Sequence, residues 1–219
     1  MFESIGPNTH VRVGGDFANV FDHEDYIAMV NAIDEASVVL RAHLILEEFL
    51  NIWASRITKT DDLFAGAFVP FKTKLCVCRN LGLSVEFFEI LDKFNEIRNR
   101  YSHRRKYTLE SSKLDSLCKK VDIILSDPEM LSCEKFELFI EGTDSNNQRR
   151  QITYTWITAD TKKRIILVLI VFILKFVQWM QIEFNALGIK YNLVVWPVES
   201  RSDLSLYTHI EVPNKEQTV

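Results

Sequence analysis

Ser84-Val-Glu-Phe-Phe-Glu-Ile-Leu-Asp-Lys-Phe-Asn-Glu-Ile-Arg-Asn-Arg-Tyr-Ser-His103 is the stretch whose reading decides the fold. Ser84 is a helix N-cap residue, and the apolar positions Phe87, Leu91, Phe94, Ile97 and Tyr101 recur every three or four residues, which defines one buried stripe on a helix. Arg98 interrupts that stripe. At about 100 degrees per residue it lies only about 20 degrees from Phe87, while Ser102, Asn95, Asn99 and His103 spread along one flank out to about 160 degrees. A cation therefore stands where a hydrophobe is expected.

Outward from this helix the pattern stays helical. His23 to about Ile57 reads as one long helix or two in series, dense in apolar residues from Val38 to Leu50 and free of Pro and Gly. Phe71 to Leu81 forms a shorter helix stopped by Gly82. Ser111 to Leu125 suggests another. The periodicity then alternates: Phe136, Leu138 and Ile140, the turn-forming Gly142 to Asn147, then Ile152, Tyr154 and Trp156 read as a β-hairpin. Thr158 or Asp160 can cap an apolar helix that runs to about Leu187 and ends at Gly188. The fold expected is mainly α, a helical bundle in residues 23–190 with a hairpin insertion at 134–158. Residues 1–22 read as an N-terminal segment and 191–219 as a C-terminal tail, polar and loose after Pro197.

Composition narrows the function. The 219 residues are 47% hydrophobic and 26% charged, with seven Gly and five Pro, the profile of a folded helical protein. A net charge of −4 argues against a protein that coats nucleic acid over its whole surface. No basic segment followed by an apolar run opens the chain, so a cytoplasmic location is expected. Ile165 to Leu174 is unbroken apolar sequence, but about ten residues fall short of the roughly twenty a membrane span needs, and a buried central helix with no membrane role is expected.

The four cysteines are Cys76, Cys78, Cys118 and Cys133. The first two sit two apart, point to nearly opposite sides of a helix and cannot share a metal, so the set reads as reduced packing residues. His10, His23, His43 and His209 lack metal-ligand spacing with one another or with carboxylates. No cofactor and no metal is expected, and the lack of a phosphate-cradling Gly-rich loop argues against an ATP-hydrolysing enzyme. Trp53, Trp156, Trp179 and Trp196 read as packing residues.

The run Ile97-Arg98-Asn99-Arg100-Tyr101-Ser102-His103, with Arg and His separated by four residues and a polar residue directly after the Arg, resembles the signature of the HEPN superfamily. Its surroundings are similar to the branch containing the mannitol operon repressor family: Phe71 and Lys74 in a Phe-x-x-Lys helix, then Leu81-Gly82-Leu83, then the Arg-to-His run. Leu46-Glu47-Glu48 and the apolar last helix also fit. The likeness covers Val38 to His103 well and the last helix loosely. The hairpin departs from the all-helical pattern of the family and reads as an insertion that serves a partner.

That resemblance implies a homodimer in which two copies of the motif meet at a cleft and, in active members, metal-independent RNA cleavage in a toxin–antitoxin, defence or stress role. The chemistry is sound in its own right. Attack by an RNA's own 2′-hydroxyl needs a group that moves protons near neutral pH and a fixed cation on the phosphate. His103 would be the acid or base, Arg98 the phosphate fork, and Asn99 the group that orients one of them. Arg100, Arg104, Arg105 and Lys106 join Arg98 within nine residues that contain no acidic side chain, a local patch suited to a phosphate backbone.

Other readings stand beside this one. Arg98 could be a structural cation paired with Glu47 or Glu48, and a charge run is usually a solvated face. A non-enzymatic regulator similar to the mannitol operon repressor, working through a protein partner, would keep the same Arg and His. Tyr101 reads as core. The toxin branch carries a modified Tyr two residues after the motif His; Arg105 occupies that position here, so the likeness does not extend to that antitoxin mechanism, although Tyr107 is near. Duplex DNA binding is the least favoured reading, because no recognition helix is followed by a basic face.

Overall fold

A computed structural model describes residues 11–104, 107–125, 132–143 and 148–197. The chain is 62% helical and mainly α, with a small antiparallel hairpin, as the alternating pattern predicts. The helices described are α1 (His23–Val30), α2 (Glu35–Thr58), α3 (Phe71–Asn80), α4 (Val85–His103), α5 (Ser111–Ile123) and α6 (Thr161–Ala186). The stretch from His23 thus resolves into two helices in series. Asp34 divides them, its side chain accepting the Ser37 N–H at 2.7 Å as the N-cap of α2.

Caps set the other boundaries. Ser84 accepts the Phe87 N–H and starts α4, and Asp160, not Thr158, caps α6 through the Lys163 N–H at 2.9 Å. After α3, Gly82 adopts φ +96°, and the Leu83 N–H returns to the Cys78 carbonyl at 2.9 Å. Only a residue free of Cβ enters that region without cost, so the sharp turn that aims α4 back across α2 depends on it.

The hairpin pairs β2 (Leu138–Thr143) with β3 (Arg149–Tyr154), with Ile140 opposite Ile152 and Leu138 opposite Tyr154. Ile140 is buried and Phe139 exposed, as a half-buried strand requires. A second ribbon is a structural finding. Val11–Gly15 (β1) pairs antiparallel with Leu193–Pro197 (β4), so parts of the N-terminal segment and the C-terminal tail are paired through their backbones, while the stretch read as loose, after Pro197, lies outside the described residues. Gly15 makes the approach feasible, because a Cβ there would stand 2.2 Å from the Asn192 carbonyl oxygen. Phe17 and Val20, just after β1, are fully buried in the same core as the helices.

α6 is the central element. By length and composition it could cross a membrane, yet 72% of its most apolar window is buried inside this fold. Phe172 and Phe176 pack on Phe87 of α4, Phe176 meets Phe49 of α2, and Trp179 lies 4.7 Å from Trp53. A helix apolar all round is stable in water only when neighbours cover every face, and α1, α2 and α5 all pack against it.

One cation sits inside this apolar helix. Lys175 is 1% exposed, and its ammonium donates to the carbonyls of Val121, Asp122 and Ile124 at 2.8, 3.1 and 2.9 Å. These belong to the last turn of α5, whose carbonyls lack helical partners and carry the negative end of the helix dipole. Burial lowers the Lys175 pKa, and the neighbouring Asp122 opposes that shift. Lys175→Met keeps the apolar stem and removes the three donors. It is expected to lower stability by about 1–3 kcal/mol, the usual cost of leaving buried acceptors unpaired, read as an earlier midpoint in urea unfolding. An unchanged midpoint would mean that water replaces the ammonium.

Candidate functional site

The motif residues occupy the last two turns of α4. The helix ends because Arg104 turns extended (φ −126°, ψ 105°), its N–H bonding the Arg100 carbonyl at 3.1 Å. Tyr101 fixes the chain's return. Its hydroxyl donates to Glu35 Oε2 at the start of α2 and accepts the Leu109 N–H at 3.1 Å, while its ring meets Tyr107 edge-on at 4.9 Å. Burial first, then the Glu35 carboxylate, raises the Tyr101 pKa above the ordinary phenol range, so it stays protonated. Tyr101 is an anchor, and it leaves Ser102, His103 and Arg104 exposed beyond it.

Arg98 is half-buried. Its Nη1 donates to Asn99 Oδ1 at 3.0 Å, and its Nε is buried without a hydrogen-bond partner. The ion pair considered from sequence does not form among the described residues. Glu47 takes Lys74 at 2.9 Å, and Glu48 accepts from Asn19 and Asn51. The reason is reach: Lys74 on α3 packs beside α2 and meets Glu47 first. The Arg98–Asn99 bond joins two of the three motif residues. His103 lies five positions on from Arg98, about 140 degrees around the helix, so within one chain the two do not share a face.

Behind Arg98 lies a polar group that sequence reading passed over. His43 of α2 is 4% exposed and Asn95 of α4 is 7% exposed; His43 Nε2 lies 3.4 Å from Asn95 Oδ1, a contact that requires the proton on Nε2. The His43 ring also packs on Phe71 of α3 at 4.2 Å. Arg98 and Asn99 follow Asn95 by one turn of α4, so the His43–Asn95 and Arg98–Asn99 pairs form a polar seam on successive turns of that helix. The available signal was His43 itself, a polar residue in the buried row Val39, Ala42, His43 and Leu46.

Burial first and the Arg98 charge second lower the His43 pKa, with Asn95 and Glu47 opposing. The unfolded chain therefore takes up this proton at higher pH than the folded one does. The stability it contributes is full above the ordinary histidine pKa of about 6.5 and is lost as pH falls below it. Melting temperature is expected to drop between pH about 7.5 and about 5, with a shallower slope in His43→Gln. Equal slopes in the two proteins would assign the pH dependence to other groups.

The basic residues divide. Arg100 lines a cleft of about 240 Å³ between α4 and α5, with Lys93, Lys113, Lys120 and Tyr107 on its walls. The run contains no acidic residue, but the other cations of this cleft are already paired: Lys93 with Glu96, Lys113 with Glu110 and Lys120 with Glu89. Arg104 is exposed, and Arg105 and Lys106 lie outside the described residues. A larger cleft of about 690 Å³, near Asp16, Glu48, Arg56 and Asp62, contains none of the motif residues.

What this end of α4 defines is a helical scaffold presenting a half-buried guanidinium, an orienting amide and an exposed imidazole. The chain matches no family model, no curated protein and no solved structure.

Proposed function

We propose that this chain is a HEPN-like protein that acts on RNA as a metal-independent endoribonuclease, with two copies of Arg98, Asn99 and His103 meeting at a dimer cleft in a toxin, defence or stress role. The observation that carries the reading is the state of Arg98. Its guanidinium is held by Asn99, lacks an ion-pair partner among the described residues and keeps donors uncommitted, one and a half turns before an exposed His103. A cation so placed is available to an anion, and a phosphate is the anion the chemistry calls for.

Because Arg98 and His103 stand on different faces of one helix, a complete site draws the His from one copy and the Arg from another. Leu40 and Leu44, one turn apart on α2, are 43% and 64% exposed next to His43, apolar surface suited to a second copy. The non-enzymatic regulator is the second reading, and the polar seam favours it, since a half-buried guanidinium bonded to Asn99 also serves a purely structural role. RNA and a regulatory protein are the partners these two readings require.

Incubation of the purified full chain with total RNA in excess EDTA, with folding checked by circular dichroism, separates them. Fragments ending in cyclic phosphates support the nuclease. Intact RNA with a folded protein removes it and leaves the regulator.

A further inference from the structure

Cys118, Asp122 and Cys133 place two sulfur atoms and a carboxylate oxygen within 4.8 Å of one another. Cys118 and Asp122 stand one turn apart on α5, and Cys133 arrives from the following turn, its N–H donating to Asp122 Oδ1 at 2.7 Å. The Cys118 thiol donates to Asp122 Oδ2 at 3.8 Å. Both cysteines are buried while Asp122 is half-buried, which leaves an ion a route from solvent. The sequence did not suggest this set, because Cys133 lies far along the chain from Cys118 and only folding brings them together.

We infer that these three residues bind a divalent metal ion of the zinc class. Thiolate and carboxylate are the donors such an ion takes, with metal–sulfur distances of about 2.3 Å, so two sulfurs on one tetrahedral ion stand about 3.8 Å apart. All three donor atoms already lie within 4.8 Å of one another, close to that spacing. The fourth position falls to a water on the Asp122 side.

Charge supports the assignment. Lys175 is buried beside this cluster, fixed by three neutral carbonyls, and Asp122 is the adjacent anion. With both thiols protonated, the carboxylate balances the ammonium. When the ion binds, two S–H bonds break, two metal–sulfur bonds form and two protons leave to solvent. Two thiolates, one carboxylate, one ammonium and one divalent ion again sum to zero. The ion thus exchanges for two protons at constant buried charge, which removes the desolvation cost that would otherwise oppose thiolates here. Its consequence is a pin between the end of α5 and the turn that leads into the hairpin.

The test is titration of the full chain, kept reduced with a phosphine and stripped by chelator, with Co²⁺. One equivalent is expected to produce sulfur-to-cobalt charge transfer and visible bands of tetrahedral coordination, to release two protons and to be displaced by Zn²⁺. Cys133→Ser should abolish the charge transfer and exposed Cys76→Ser should leave it intact. Asp122→Asn, which still accepts the Cys133 N–H, should weaken binding at least tenfold. No charge transfer in the folded wild type, or wild-type binding by Cys133→Ser, overturns the assignment. Formation of a Cys118–Cys133 disulfide on removal of the reductant, in a chain that never takes up Co²⁺, overturns it as well.

Discussion

His103→Ala is expected to reduce RNA cleavage by about 10²–10⁴-fold, the range that a positioned general acid or base contributes, with almost no change in melting temperature. The second half follows from the position of His103, exposed at the end of α4. Arg98→Ala should abolish cleavage to a similar degree. Its effect on stability should be small, because the guanidinium leaves one buried N–H unpaired and pairs with no carboxylate among the described residues. Arg98→Lys keeps the charge but loses the fork and the bond geometry to Asn99, so it should rescue little. Single-turnover cleavage assays beside thermal melts decide the matter. A folded His103→Ala with full activity would end the nuclease reading, and a large fall in melting temperature in Arg98→Ala would make Arg98 a structural residue. Mixing inactive Arg98→Ala with inactive His103→Ala should restore partial activity if each site draws on two copies.

The largest expected effect on stability is at Phe176. Its ring is fully buried and lies 4.8 Å from Phe87, 4.9 Å from Phe49, 5.5 Å from Phe172 and 5.9 Å from Trp179, so one side chain joins α2 and α4 to α6. Phe176→Ala removes the ring from a site whose walls are themselves rigid aromatics. They cannot collapse into the void, and the loss should fall at about 3–5 kcal/mol. Ile182 on the same helix is 52% exposed, and Ile182→Ala should stay within about 0.5 kcal/mol. Urea unfolding followed by tryptophan fluorescence measures both. Equal effects would mean that α6 is not the centre of the core.

The helices were legible because their signals are local. Ser84 is a cap whose side chain reaches its own next turn, and Gly82 stops a helix through its own φ, whereas Asp160 was one of two choices and the Asp34 cap that divides α1 from α2 was not read. The hairpin was legible from an alternation that repeats every second residue, and the observed register sets Ile140 against Ile152. Arg98 announced itself by standing in an apolar stripe, and Asn99 as its neighbour. The partners of Arg98 were not readable in the same way. Glu47 was a reasonable choice by charge, yet Lys74 takes it, and which of two cations a carboxylate meets depends on how helices cross. The Lys120–Glu89 pair was hidden likewise, since it joins α5 to α4.

Contacts within a turn or a strand pair were readable from the chain alone: the helical stretches, the Ser84 cap, the Gly82 stop, the hairpin and a cation in an apolar stripe. Tertiary structure alone decided the β1–β4 ribbon, the seam of His43 and Asn95 behind Arg98, the burial of Lys175 under the last carbonyls of α5, and the meeting of Cys118 with Cys133. The physical reason is common to all four. Each joins groups far apart in the chain, and such a contact is set by which apolar faces pack together and at what angle, a property that no short window of residues carries.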